Sequence, residues 1–144
     1  MRWTIALGLT IALLAVGASA ALAQEAGTDG SWTLVGGEAD GKALPQEQIK
    51  DGKLILKVNR YNVKLAGEEA IKGTQKLDST KAPKTIDITD ASGPNKGKTC
   101  LGIYELKGDE FRVVFAQPGK ERPKNFATAP DSGQWMHVWK RVKE

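Results

Sequence analysis

Reactive side chains are scarce in this sequence, whose 144 residues include one cysteine and one histidine. Cys100 alone cannot form an internal disulfide, and its place in an apolar strand pattern predicts a buried, inert side chain. A zinc site usually needs several Cys or His ligands, and a histidine-based triad needs a positioned nucleophile, for which no nucleophile-elbow motif is present. We therefore expect no catalytic residue, metal or cofactor. His137, between Trp135 and Trp139, is expected to be a packed strand residue.

Long apolar runs are absent except near the N-terminus. Met1-Arg2 gives a positive start, residues 4–16 are almost continuously apolar, and Ala21-Leu22-Ala23 precedes Gln24. This order is typical of a secretory signal peptide with an A-x-A cleavage site. An uncleaved anchor is the alternative, but a spanning helix needs roughly 20 apolar residues. The sequence thus predicts a signal peptide (1–23), a linker (24–29) and one domain (30–144). The expected location is the periplasm or the medium, with no membrane span after cleavage.

A strong excess of one charge is also lacking, since 21 basic residues stand against 17 acidic ones. The lysines are spread between acids, and no basic stripe carries the aromatic rings that single-strand binders use. We therefore expect no nucleic-acid partner. The segment after the signal peptide, about 120 residues, suffices for one domain with one core, and we expect a monomer.

From residue 30 onwards, short alternating segments separated by Gly, Pro, Asn and Asp predict an all-β protein. The predicted strands cover residues 32–38, 53–58, 61–65 and 70–77, a strand opened by Pro83, two strands within 99–116, and 134–142. One short helical turn is predicted within 44–49, and a tight turn at Asn59-Arg60. About eight antiparallel strands indicate a small up-and-down barrel or a sandwich.

The clearest predicted hairpin spans residues 99–116, with Gly108-Asp109 as its turn. With these two residues in the loop, Glu105 faces Arg112 on one side. The other side then carries two apolar pairs, Leu106 with Phe111 and Tyr104 with Val113. Because a shift by one residue would place charges among apolar side chains, the register is strongly specified.

Residues 92–99 resemble a phosphate-binding loop at first sight. Ser92 stands where the motif needs its first glycine, and a predicted strand, rather than a helix, follows Thr99. We therefore interpret this segment as a Gly/Pro/Asn turn.

Two acidic pairs are candidates for carboxylate chemistry, Asp87 with Asp90 and Glu68 with Glu69. Two carboxylates can hydrolyse a glycoside if they face one another across a cleft. Asp87 alternates with isoleucines and is expected to face solvent, whereas Asp90 is expected to begin a turn. An enzyme would become a stronger candidate if Asp87, Glu105, Arg112 or His137 converged in one cleft.

The motif Gly30-Ser31-Trp32 suggests how a barrel would be closed. A glycine two residues before Trp32 lets the chain pass close beneath the indole ring, which then plugs one end. Arg141, on the last predicted strand, could lie over that ring in a cation–π contact. The alternative is a core tryptophan and an unrelated surface arginine.

The chain resembles a family of small secreted lipocalin-like (calycin-type) domains of uncharacterised function, common in planctomycete-type bacteria. The motifs that carry the resemblance run in order from residue 30 to residue 141: Gly30-Ser31-Trp32, Asp40-Gly41-Lys42, Lys76-Leu77-Asp78, 83–87, 93–99, 102–106, Arg122-Pro123 and Arg141. The resemblance implies a lipocalin-like barrel and brings no known activity. The chain is shorter than most lipocalins and lacks the cysteine pair that many of them carry.

Two functions follow as hypotheses. In the first, the protein is a non-enzymatic binding module whose narrow barrel holds a small apolar or amphipathic ligand. The candidate lining residues share one face of the hairpin: Tyr104, Leu106, Phe111, Val113 and Phe115. In the second, the barrel is filled, and the loop 117–133 contacts a cell-envelope or extracellular protein. An exposed apolar patch on that loop would favour the second hypothesis.

Overall fold

The computed structural model describes residues 27–143. The predicted signal peptide, residues 24–26 of the predicted linker and Glu144 lie outside the described residues. The elements in the described part are β1 (Gly30–Ala39), β2 (Lys42–Ala43), α1 (Gln46–Ile49), β3 (Lys53–Lys57), β4 (Arg60–Lys64), β5 (Ile71–Asp78), β6 (Lys84–Asp90), β7 (Thr99–Lys107), β8 (Glu110–Phe115) and β9 (Trp135–Arg141).

Eight of these strands form a closed antiparallel barrel. Strand β1 pairs with β3, each later strand pairs with the next in the chain, and β9 returns to pair with β1. The two-residue strand β2 adds to β1 and was not predicted. The predicted all-β up-and-down barrel with one short helical turn is therefore confirmed, and the alternative of a sandwich is not.

Alternation of apolar and polar side chains explains why these strands curl around one core. In β3, Leu54 and Leu56 are buried whereas Lys53, Ile55 and Lys57 are exposed. Because successive strand residues point to opposite faces, this pattern directs one face of each strand to the barrel interior. The same pattern in the other strands gathers six buried aromatic side chains into the core: Trp32, Tyr61, Tyr104, Phe111, Phe115 and Trp139.

The predicted hairpin has the predicted register. Glu105 pairs with Arg112 and Tyr104 with Val113 across β7 and β8. An Arg112 nitrogen lies 3.6 Å from a Glu105 carboxylate oxygen. Gly108 occupies the turn with a φ of 57°, a conformation that glycine adopts without steric cost.

The turn between β3 and β4 differs from its prediction by one residue. Lys57 pairs with Arg60, so the loop consists of Val58 and Asn59. Val58 has a φ of 57°, which is unfavourable for a β-branched residue. The Val58 N–H donates to the Asp29 carboxylate, with both oxygens 3.1 Å away. This contact joins residues 29 apart in the chain, so local turn preferences could not indicate it.

The connection from β8 to β9, residues 116–134, covers part of the barrel's outer face, and we call it the covering segment. Ile103 and Val114 alternate with inward-facing residues and point outward, yet they are 1% and 0% exposed. Arg122 of the covering segment donates to Asp87 at 2.6 Å and to a backbone carbonyl of β7 at 2.8 Å. Asp87 does point outward as predicted, but it is half-buried and paired rather than free in solvent.

Candidate ligand-binding cavity

Trp32 closes one end of the barrel. Its ring is 1% exposed, its centroid lies 5.5 Å from that of Phe111, and its Nε1 donates to the Thr28 carbonyl at 2.9 Å. Arg141 lies over the ring, with Cζ 4.3 Å from the centroid. Gly30 has a φ of +135°, and a Cβ there would lie 3.3 Å from an Arg141 nitrogen. This end therefore requires a glycine at position 30.

A cavity of about 540 Å³ occupies the interior beyond Trp32. This volume falls in the range of small-molecule sites, roughly 300–1,000 Å³. Its mouth lies at the opposite end, where Gln48, Ala66, Glu68 and Asn95 contribute to the rim. Much of the wall is aliphatic and comes from four different strands: Leu54, Leu56, Val63, Ile86, Ile88 and Val113.

The predicted lining residues divide between the cavity wall and the closed end. Phe111, Val113 and Phe115 lie in the wall. Tyr104 and Leu106 face the interior but are not part of the wall, and Tyr104 packs edge-on against Phe111 with centroids 5.8 Å apart. The reason is that the hairpin turn lies at the closed end, so the part of β7 nearest that turn fills the barrel rather than lining its cavity.

A tyrosine crosses one whole strand inside the cavity. Tyr61 on β4 passes over Gly73 on β5 and donates its hydroxyl hydrogen to the Asp90 carboxylate on β6. A Cβ at position 73 would overlap both the Tyr61 hydroxyl and the Thr89 carbonyl oxygen. Burial, the hydrogen bond to Asp90 and the charge of Asp90 all raise the pKa of Tyr61, so the phenol stays protonated.

Gln75 supplies a polar group within the wall. It is 6% exposed, it lines the cavity, and its Nε2 has no hydrogen-bond partner among the described residues. A buried donor left unpaired costs about 1–3 kcal/mol. An oxygen of a bound molecule that accepted this hydrogen bond would remove that cost.

His137 also faces the cavity, rather than being only a packed strand residue as predicted. Its ring contacts Trp139 edge-on, with centroids 5.6 Å apart, and the side chain lines the cavity. Desolvation lowers the pKa of His137 from 6.5 to about 4. The imidazole is therefore neutral at physiological pH and offers one donor and one acceptor.

Two carboxylates, Glu68 and Asp90, contribute to the wall, and the described residues that line the cavity include no lysine or arginine. The sequence-based interpretation considered both acids for carboxylate chemistry but placed neither in the ligand site. For Asp90 a signal was present, because it follows Ile86 and Ile88 at intervals of two on β6 and therefore shares their inward face. Glu68 lies in the turn after β4, and no periodic pattern could place it.

Cys100 is buried as predicted. Burial and the nearby charge of Asp90 raise the pKa of its thiol, which keeps it in the poorly nucleophilic protonated form.

The residues that would have favoured an enzyme do not converge. Asp87 pairs with Arg122, and Glu105 pairs with Arg112, on the outside of the barrel, whereas His137 faces the cavity. Residues 92–98 form a loop that leads into strand β7. Among residues 27–143, no cluster of three or more His, Cys, Asp or Glu side chains is arranged to hold a metal ion. Within the same range, no helix has the length and apolar character needed to cross a membrane.

Comparisons with known proteins found no matching family model, no matching curated protein and no matching solved structure.

Proposed function

We propose that this protein is an exported binding module that holds a small, mostly apolar molecule inside its barrel. The observation that carries the proposal is the cavity itself, open at one end and about 540 Å³ in volume. Apolar walls with a few placed polar groups are the usual composition of small-molecule sites.

The polar groups of the wall support a ligand with at least one hydrogen-bonding atom. The Nε2 of Gln75 lacks a partner among the described residues, and the neutral ring of His137 is exposed to the same space. A molecule with an apolar body and an oxygen acceptor would bury its hydrocarbon against the aliphatic wall at roughly 25 cal/mol per Å². The same molecule would satisfy the Gln75 donor.

The alternative function, a filled barrel that contacts a protein through the loop 117–133, has less support. The large apolar side chains exposed in the described part are Val35, Ile55, Val58 and Val142, and none lies on that loop. Arg122 and Thr128 of the loop are instead bound to the barrel through Asp87 and Glu38.

Fluorescence titration with 1-aminoanthracene, a neutral apolar probe whose emission rises in apolar surroundings, tests the proposal. We expect saturable binding of one probe per protein. The variant Val63→Trp adds an indole to the cavity wall and should weaken binding by about tenfold or more, since the added ring competes for the same space. Ile55→Trp is the matched control, because Ile55 lies on the neighbouring strand and is exposed on the outer face.

Circular dichroism of both variants establishes that they are folded. Absence of saturable probe binding to the wild-type protein would overturn the proposal. Equal binding by folded Val63→Trp and Ile55→Trp would also overturn it, because the probe would then bind elsewhere.

A further inference from the structure

The charge of the cavity is opposite in sign to that of the chain. The whole sequence has a net charge of +4, yet the Asp, Glu, Lys and Arg side chains that line the cavity are the two carboxylates of Glu68 and Asp90. Two basic residues, Lys96 and Lys98, follow Asp90 in the chain. Both are exposed in the loop after β6, and neither contributes to the wall.

Asp90 is only partly satisfied by the protein. One of its oxygens accepts the hydrogen bond from Tyr61, and among the described residues no lysine or arginine forms an ion pair with it. A positive charge on a ligand would stabilise a half-buried carboxylate next to an apolar cavity more strongly than it would in water, because the effective dielectric constant there is lower.

Aromatic rings lie near the same end of the cavity. Phe115 ends β8 and Trp135 begins β9, their ring centroids are 5.5 Å apart, and both line the cavity. Aromatic faces attract ammonium groups through the ring quadrupole. They offer a carboxylate head group no comparable stabilisation.

A second, independent feature indicates that the bound molecule carries a hydrogen-bond acceptor. The unpartnered Nε2 of Gln75 is a buried donor in this wall, and it calls for an oxygen acceptor. A neutral oxygen satisfies it without burying a charge. A carboxylate would have to be buried beside Gln75 with no cation in the wall, and burying an unpaired charge is costly.

We propose that the ligand is an apolar amine that also carries a neutral oxygen, with its ammonium group at the mouth beside Asp90 and Glu68 and its apolar body inside the barrel, where the oxygen accepts from Gln75. This inference rests on the proposed ligand-binding function and narrows it to one class. The same charges that favour the amine should weaken the binding of apolar carboxylates such as fatty acids.

Displacement of bound 1-aminoanthracene by three matched compounds tests the class. Dodecylamine, dodecanol and dodecanoate share one chain length and differ in head-group charge, and each is used at neutral pH below its micelle concentration. We expect dodecylamine to bind at least about tenfold more tightly than dodecanoate, with dodecanol between them, because the head group meets two carboxylates.

Variants then identify the source of the selectivity. Asp90→Asn keeps an oxygen to accept from Tyr61 but removes the charge, and it should lower the ratio of amine affinity to alcohol affinity severalfold. Glu68→Gln, at an exposed position on the rim, should lower the same ratio and carries little risk to folding. Glu110→Gln changes the net charge equally at the closed end and should leave the ratio as in the wild type.

The outcomes separate this inference from the proposed function. If 1-aminoanthracene itself fails to bind, the binding function is wrong. If the probe binds but dodecanoate displaces it as well as dodecylamine does, or if Asp90→Asn and Glu68→Gln both leave the ratio unchanged, the amine class is wrong and the binding function stands.

Discussion

The guanidinium of Arg141 lies over the indole of Trp32 and also donates hydrogen bonds to the carbonyl oxygens of Gly27 and Asp29. Trp32 and Arg141 face one another across β1 and β9, the strand pair that closes the barrel. One side chain of the last strand therefore holds the ring that fills the closed end and the backbone that leads into the first strand.

Arg141→Lys should destabilise the protein although the charge is kept. Lysine cannot stack a planar group on Trp32 while donating to two carbonyls, so we expect the free energy of unfolding to fall by about 1–3 kcal/mol. Denaturant unfolding followed by tryptophan fluorescence measures the change. Lys140→Ala, at the exposed neighbouring position, is the control, and an equal effect of the two substitutions would contradict the role assigned to Arg141.

Gly73→Ala should destabilise the protein, because Gly73 lies on β5 directly beneath the ring of Tyr61. The added Cβ overlaps the Tyr61 hydroxyl and the Thr89 carbonyl, so either the ring or the strand must move. We expect a loss of about 1–3 kcal/mol in the free energy of unfolding. Thr74→Ala, one residue further along and exposed, should cost less than about 1 kcal/mol. A Gly73→Ala variant as stable as Thr74→Ala would show that the tyrosine does not cross this strand.

The stability of the protein should depend on pH through His137. Folding lowers the pKa of this histidine from 6.5 to about 4, so between these pH values the unfolded chain binds a proton that the folded protein does not. The free energy of unfolding therefore rises with pH across this window. The contribution of His137 is present in full above about pH 6.5 and is lost as the pH falls towards 4.

His137→Gln removes the titrating group and should flatten this dependence. Between neutral pH and pH 4 we expect the wild type to lose up to about 3 kcal/mol more than the variant does, from the size of the pKa change. Carboxylates titrate in the same range in both proteins, so the difference between the two curves isolates His137. Parallel curves would mean that the imidazole is well hydrated.

Arg122→Ala should loosen the covering segment. The lost contacts are those to Asp87 and to the β7 backbone, at 2.6 and 2.8 Å. Because both charged partners are about one-third exposed, we expect a modest loss of about 1–2 kcal/mol. Hydrogen exchange should quicken across residues 116–134. Lys124→Ala, at an exposed position in the same segment, should leave hydrogen exchange unchanged. Similar exchange in the two variants would mean that Arg122 does not hold the covering segment on the barrel.

The barrel was predictable because its strands carry their information locally. The alternation of Leu54 and Leu56 with lysines, and the charge pair Glu105–Arg112, each specify which face turns inward without reference to distant residues. Arg141 over Trp32 was predicted from a motif, but other contacts between distant residues were not predictable. Val58 adopts its turn because of Asp29, and Asp87 is half-buried because of Arg122.

The sequence predicted which side chains of the candidate site face the barrel interior, but not how far each of them lies from the closed end. Alternation correctly turned Tyr104 and Leu106 inward, but it contains no information about distance from the closed end. That depth depends on where the hairpin turn lies in the assembled barrel. For Asp90 the alternation with Ile86 and Ile88 predicts an inward-facing side chain on β6. We instead expected Asp90 to begin a turn, because it follows the last isoleucine of the strand, and so its place in the cavity wall was not predicted.

The two ends of the described chain meet at one pole of the barrel. Gly27 is bound to Arg141, and the Val142 N–H donates to the Ser31 carbonyl at 2.9 Å, so both ends emerge beside Trp32 and away from the mouth. A reporter, tag or surface tether joined at either end would therefore leave the entrance facing solution. Immobilised or fused forms should keep the same access to small molecules as the free protein.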